Sequence, residues 1–506
     1  MAITIFSGQV VGLDAQPISV EVDISPGLHL FSIVGLADKE VQESRERIAA
    51  AIKNLGALAP HKKSQRVIVN LAPADIKKEG PAFDLPIALG YLLASGQISF
   101  DPAGKLFIGE LGLDGTLRRV SGVLPTAMMA RDQGFTHLIL PRGNGREASI
   151  LDGMSVIEAG SLSEVIEHLS ERTPLPALAH AKIRDAEPEA AVDFKDIRGQ
   201  ESAKRALEIA AAGNHNLLLS GPPGAGKTLL AQALASILPP LDFEEALEIT
   251  KIYSIAGKLD ENRPFISSRP FRNPHHTSSY TSIIGGGSYP RPGEITLAHR
   301  GVLFLDEFPE FDRRVSEALR QPLEERRITV ARNQGVATFP AQFIFAAAMN
   351  PCPCGNFGNS RRDCICSPGE ISRYKKKLSG PILDRIDLCV ETPAVEYEKL
   401  ESGDEEPSET IRGRVIRARA TQEKRFSGSA IRANAEMGLR EIKQFIPIRD
   451  DLRPTLKLAH ERWRLSARGY HRVLKLSRTI ADLEGSADIE ARHIGEALQY
   501  RPRQEL

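Results

Sequence analysis

Residues 221–228 read Gly-Pro-Pro-Gly-Ala-Gly-Lys-Thr and match the phosphate-binding pattern G-x-x-x-x-G-K-[ST] at every fixed position. In this loop, Gly221, Pro222, Pro223, Gly224, Ala225 and Gly226 would wrap the phosphates, because glycine freedom lets successive N–H groups turn onto a β-phosphate at a helix N-terminus. Lys227 is expected to reach the β- and γ-phosphates and Thr228 to ligate Mg²⁺. Further along, Val302-Leu303-Phe304-Leu305-Asp306-Glu307 is an apolar run ending in two carboxylates. Asp306 is expected to hold Mg²⁺ through its water shell, and Glu307 to polarise the attacking water. Either motif alone has a plain reading, a glycine turn or a strand ending in surface acids. Together they imply binding and hydrolysis of a nucleoside triphosphate.

The elements that must position these groups are legible around them. Asn216 to Ser220 is a short apolar strand leading into the loop, and Leu229 to Leu238 continues as a helix. Phe343 to Ala348 is a second apolar strand, and it ends in Met349-Asn350-Pro351.

With 506 residues and 42% hydrophobic composition, the chain has material for about three domains. No run approaches about 20 uncharged apolar residues, and the N-terminus lacks a basic segment followed by an apolar one, so neither a membrane span nor a secretory signal is expected. A cytoplasmic location follows. Lys plus Arg and Asp plus Glu are 65 each, so overall charge argues neither for nor against nucleic acid. Basic residues do recur from Arg412 to Arg478, readable as solvated helix faces or as phosphate contacts.

Composition breaks divide the chain into residues 1–171, a Pro-rich linker at 172–192, a motor block at 193–393 and a helical block at 394–506. In the first block, Lys39 to Leu55 and Leu85 to Leu93 read as helices and Ser64 to Leu71 as a strand. An acidic stretch, Glu401 to Pro407, opens the last block. That block ends in helices at Gly469 to Leu483 and Ile489 to Leu498, with Glu484-Gly485-Ser486 as the turn between them.

Several segments carry a resemblance to a known family. Asn350 resembles the sensor-1 position of AAA+ ATPases, which implies a hydrogen bond to the attacking water or the γ-phosphate, and Asp193 to Gln200, with Asp196 and Gln200, resembles the segment that cups their adenine. Gly380-Pro381-Ile382-Leu383-Asp384-Arg385 resembles the arginine-finger segment of the magnesium-chelatase and MCM-like branch. Arg385 would then stabilise transition-state charge in a neighbouring subunit, which implies a homo-oligomer, most readily a hexamer; a structural salt bridge is the alternative. Leu465-Ser466-Ala467-Arg468-Gly469 is similar to the sensor-2 segment, with Arg472 competing with Arg468 for the role. Arg269 to Thr277, Gly285-Gly286-Gly287, Pro292 to Ile295 and Asn350 to Gly355 together resemble the YifB/ComM family of magnesium chelatase-like AAA+ proteins, over essentially the whole chain.

The resemblance implies an α/β, multidomain fold: an AAA+ P-loop core, an N-terminal Lon-protease-like domain and a C-terminal helical lid. It implies two pore inserts, Gly285 to Ile295 and a hairpin at Arg327 to Phe339 with Asn333-Gln334-Gly335 at its tip. DNA is the implied polymer and helicase or branch-migration action the implied outcome. A chelatase-type motor remodelling a partner protein and an unfoldase remain alternatives. Lys78 to Pro86 and Gly115 to Thr126 resemble the Lon catalytic segments, but the nucleophile and base positions hold Ala82 and Thr126. A Lon-like fold without protease activity is therefore expected.

Four of the five cysteines fall as Cys352-Pro353-Cys354 and Cys364-Ile365-Cys366, a set that could wrap one structural Zn²⁺ or remain free thiols. Cys389 reads as a core residue. His275 and His276 are adjacent, so one metal seldom takes both, and a structural or phosphate-proximal role is expected.

Overall fold

The computed structural model describes residues 2–62, 64–180, 192–287, 290–332, 335–358, 362–378, 380–395 and 405–501. The expected hairpin tip at Asn333 and Gln334, most of the acidic stretch (401–404) and most of the linker (181–191) lie outside the described residues. The chain divides into two compact units. One is Met1–Asp185 with Ala246–Ile266, and the other is Ala186–Glu245 with Ser267–Leu506.

The first unit is built on a seven-stranded mixed sheet. Its strands are β1 (Ile3–Val11), β2 (Asp14–Pro26), β3 (Leu30–Val34), β4 (Gln65–Ala72), β5 (Lys105–Phe107), β6 (His137–Pro141) and β7 (Ser155–Ala159), in the order β3-β4-β2-β1-β5-β6-β7. Strand alternation sends side chains to two cores. Ile139 joins Ile5, Val20 and Leu85 on one side, while its neighbours Leu138 and Leu140 join Leu106, Val123 and Leu124 on the other. The expected helices form as Lys39–Asn54, capped by the Asp38 carboxylate accepting from Val41 N–H at 2.8 Å, and Asp84–Ala94. Both pack on the first of these cores.

Residues 246–266 lie in sequence within the block expected to be the ATPase core, yet they belong to this first unit. Leu247 is buried among Leu124, Met129 and Leu138. The Ser254 hydroxyl donates to the buried Glu147 carboxylate at 2.6 Å, and the Gly122 N–H donates to the Ser254 carbonyl at 3.0 Å. An apolar helical pattern does not say which sheet it will cover, so this placement is a tertiary decision.

The second unit holds a five-stranded, all-parallel sheet. Its strands are β8 (Leu217–Ser220), β9 (Phe271–Arg272), β10 (Val302–Leu305), β13 (Ile344–Met349) and β14 (Leu388–Glu391), in the order β9-β10-β13-β8-β14. Between β10 and β13 the chain forms an antiparallel hairpin of β11 (Arg327–Arg332) and β12 (Gly335–Pro340). Helices Ser408–Arg425, Leu439–Phe445, Arg453–Trp463, Ala467–Leu483 and Ala491–Gln499 follow the sheet. Val415, Val473 and Ile480 share one core with Leu217, Phe304 and Ile344. Strands β10 and β13 are apolar and buried along their whole length, the pattern of parallel strands covered on both faces.

Candidate active site

Strands β8, β10 and β13 deliver the nucleotide-binding residues to the same sheet edge, since parallel neighbours end on the same side. After Ser220 the chain must turn at Gly221, where a Cβ would sit 2.1 Å from the Thr392 carbonyl oxygen. Gly224 and Gly226 follow at φ +79° and +81°, conformations that side-chain-bearing residues adopt at a cost. Helix Lys227–Ser236 starts immediately afterwards. Lys227 Nζ donates to the carbonyls of Gly221 (2.7 Å) and Pro222 (2.9 Å) and to Asn350 Oδ1 (3.1 Å). Burial holds the Lys227 amine below its ordinary pKa, while Asp306 and Glu307 pull the other way.

Thr228 Oγ1 donates to Asp306 Oδ2 at 2.6 Å, which unites the two groups read as the Mg²⁺ site. Both are oxygen donors suited to a hard cation that keeps most of its water. Glu307 follows at φ +49°, in the left-handed region, so its side chain is turned away from the course that the strand alone would set. Its carboxylate lies 3.5 Å from His276 Nδ1, and the His276 ring is 4.2 Å from that of His275. The adjacent histidine rings thus lie against each other, tilted by 33°, beside the expected base.

Gln200 donates through Nε2 to the carbonyls of Ala225 (3.2 Å) and Pro393 (2.7 Å), tying the loop to the chain beyond β14. A cleft there is lined by Gly199, Gln200, Ser202, Glu391, Pro393 and Glu405. Glu405 accepts from Gly199 N–H at 3.0 Å and from Lys204 Nζ at 2.5 Å; burial raises its pKa, but Lys204, the Gly199 N–H and Arg198 together leave it lowered. Asp196, expected at the adenine, closes a capping box with Asp193 around the single turn Phe194–Asp196.

Arg385 and Arg468 converge on one exposed carboxylate, Glu324, in helix Arg320–Glu325, with Arg468 Nη2 at 3.2 Å from it. Among the described residues, Arg385 also donates to the Pro381 carbonyl at 2.7 Å, and neither arginine pairs with the phosphate loop. Arg472, the competitor for the lid role, donates to the Ile386 carbonyl at 2.7 Å and holds the finger segment. Glu324 carries no motif signal in the sequence, and its role emerges only from packing. Other basic residues of the last block are likewise committed internally, Arg414 to Glu208 and Glu406, Arg425 to Asp482, and Arg432 to Asp242 and Glu245. Glu208, Glu245 and Asp482 among these acids are buried, whereas Glu406 and Asp242 are exposed.

The two expected inserts meet. Arg332, at the end of β11, donates to the Gly285 carbonyl at 2.9 Å, and Gly285 pairs with Pro292 across the base of its loop. Cys352, Cys354, Cys364 and Cys366 gather so that all four sulfurs lie within 4.8 Å of one another. Their donor set, four thiolates from a short loop, suits Zn²⁺. In the first unit, the Ala82 carbonyl accepts from Gly109 N–H at 2.9 Å, and the Thr126 hydroxyl donates to the Gly122 carbonyl within its own helix at 2.8 Å.

A parallel sheet with the phosphate loop after β8, paired carboxylates after β10 and a polar residue after the strand between them defines a P-loop ATPase of the AAA+ class. Three family models match the chain: magnesium chelatase subunit ChlI at residues 193–400, subunit ChlI of Mg-chelatase at 20–144, and the ChlI C-terminal region at 405–501. The competence protein ComM of Haemophilus influenzae is 42% identical, covering 98% of this chain and 97% of its own length. YifB of Salmonella typhimurium is also 42% identical, over 97% of this chain and 95% of its own length. Lon protease 2 of Bacillus subtilis shares 31% identity over 143 residues, 27% of this chain and 26% of its own. The chain belongs to the YifB/ComM family of magnesium chelatase-like AAA+ ATPases.

Proposed function

We propose that this ATPase is a ring-forming motor that acts on DNA, with helicase or branch-migration action in recombination or natural transformation. The observation that carries the reading is the junction of two inserts in the ATPase unit, with Arg332 of the hairpin bonded to Gly285 of the glycine loop. Two backbone-rich loops joined in this way suit a grip on a polymer's phosphates and sugars rather than on base edges. Kinship with a protein named for competence supports the placement in transformation, and a 29% identity over 224 residues to a DNA replication licensing factor, Mcm6 of Drosophila pseudoobscura, supports DNA as the polymer.

In this reading Thr228 and Asp306 hold Mg²⁺, Glu307 activates water, Asn350 registers the γ-phosphate, Arg385 acts on a neighbouring subunit's ATP in a hexamer, and Arg468 lies over the ATP phosphates from the helical lid. The four cysteines hold Zn²⁺. The first unit lacks protease activity, because its nucleophile and base positions carry Ala82 and Thr126. The protein works in the cytoplasm; among the described residues, no helix is long and apolar enough to cross a membrane. The second reading, a motor that remodels a partner protein, is favoured by the family models' own names.

Steady-state ATPase rates with single-stranded, forked and three-stranded DNA, across a salt series, separate the two. Stimulation that fades as salt rises is expected, because phosphate contacts release counterions. A rate indifferent to every nucleic acid would overturn the DNA reading in favour of protein remodelling.

A further inference from the structure

The cysteine cluster touches the nucleotide site. Cys352 Sγ lies 3.4 Å from Cys354 Sγ and 3.7 Å from Cys364 Sγ, and Cys354 and Cys364 are 3.7 Å apart. A disulfide requires about 2.05 Å between sulfurs. Four thiolates at about 2.3 Å from a tetrahedral Zn²⁺ lie about 3.8 Å from each other, so the observed spacing is that of ligands around a shared centre. Cys352 is fully buried, and its sulfur also accepts the Phe357 N–H at 3.3 Å, the pattern of a structural metal knuckle.

Two connections run from this knuckle to the phosphate loop. Along the chain, Cys352 is two residues beyond Asn350, whose Oδ1 accepts from Lys227 Nζ, and the Met349 carbonyl accepts from Gly221 N–H at 3.2 Å. Through space, Gly355, the residue after the second cysteine, presses on the loop. A Cβ there would sit 2.5 Å from Pro223 Cδ and 2.7 Å from Pro223 Cγ, and Gly355 adopts φ +80°. A ligand loop whose backbone abuts the phosphate loop with no room for a methyl group can transmit its own order to that loop.

We propose that the four cysteines bind one Zn²⁺ and that the metal-loaded knuckle, through Gly355 against Pro223 and through Asn350, braces the phosphate loop for ATP. The proposal rests on the readings above that this loop binds ATP and that the cysteines take zinc. It assigns the metal a task at the nucleotide site.

The test uses the full-length, untagged protein. Zinc per chain is measured by elemental analysis, then released with a mercurial thiol reagent and restored, while binding of a fluorescent ATP analogue is followed in the presence of Mg²⁺. About one zinc per chain is expected, with analogue affinity falling about tenfold on release and recovering on reloading. Gly355→Ala should keep its zinc and bind the analogue about tenfold more weakly. Absence of zinc with four titratable thiols would overturn the metal assignment. Zinc present, with affinity unmoved by its release, would overturn the brace and leave the metal standing. If Gly355→Ala does not fold, the release and reloading of wild-type protein decides alone. None of these measurements involves DNA, so they stand or fall apart from the polymer reading.

Discussion

Glu307 and Lys227 do different work at one site, and their substitutions should separate cleanly. Glu307 sits at the end of a buried strand with its backbone at φ +49° and its carboxylate beside His276, so Gln at this position keeps the shape and removes the base. Glu307→Gln is expected to bind ATP normally and to lose about 100-fold or more in turnover, the range for a general base. Lys227 already donates to three oxygens in the loop. Lys227→Ala should weaken ATP binding by about 2 kcal/mol, close to 30-fold, the worth of a charge-assisted hydrogen bond. A nucleotide-binding titration alongside single-turnover hydrolysis checks both, and normal turnover in Glu307→Gln would remove it from the base role. These residues were readable from spacing alone, because phosphate and metal chemistry dictate residue types at fixed positions. Glu324 was not, because an acid that gathers two arginines needs only to be near them in space.

At the scale of elements, the segment 246–266 offers the sharpest test, since the chain leaves the ATPase fold to complete the core of the first unit. Glu147 lies beneath it. Burial raises the Glu147 pKa above 4.5, while hydrogen bonds from Ser254 and Asn144 oppose the shift. Between pH 4.5 and the raised native value the folded unit holds a proton that the unfolded chain releases, so stability falls as pH rises through that window. Glu147→Gln should flatten this slope and raise the melting temperature of the first unit by about 2–4 °C at pH 8, checked by thermal unfolding at several pH values. An unchanged slope would show that another group sets it. Helix existence was legible at Lys39–Asn54 and Asp84–Ala94, because periodicity is local. The destination of residues 246–266 was not, because an apolar stripe fits any complementary surface.

For the whole molecule, the question is whether Arg385 serves its own ATP or a neighbour's. Among the described residues of its own chain it pairs with Glu324 and the Pro381 carbonyl, and not with the phosphate loop. If the proposed ring forms, mixing inactive Glu307→Gln with inactive Arg385→Ala should restore ATPase activity, because mixed rings would hold sites with a native base from one chain and a native finger from the next. Activity that stays at the background of either parent would mean that Arg385 acts within its own chain. The sequence by itself determined the ATPase class, the phosphate loop, the carboxylate pair and the cysteine set, because each is a short pattern whose chemistry fixes both residue type and spacing. Only the tertiary structure decided that Arg385 and Arg468 share Glu324, that Arg414 and Arg425 face internal acids, that residues 246–266 join the first unit and that Gly355 abuts Pro223. Those are encounters between residues far apart in the chain, and the physics that sets them is the burial of apolar surface and the pairing of buried charge, which no local pattern records.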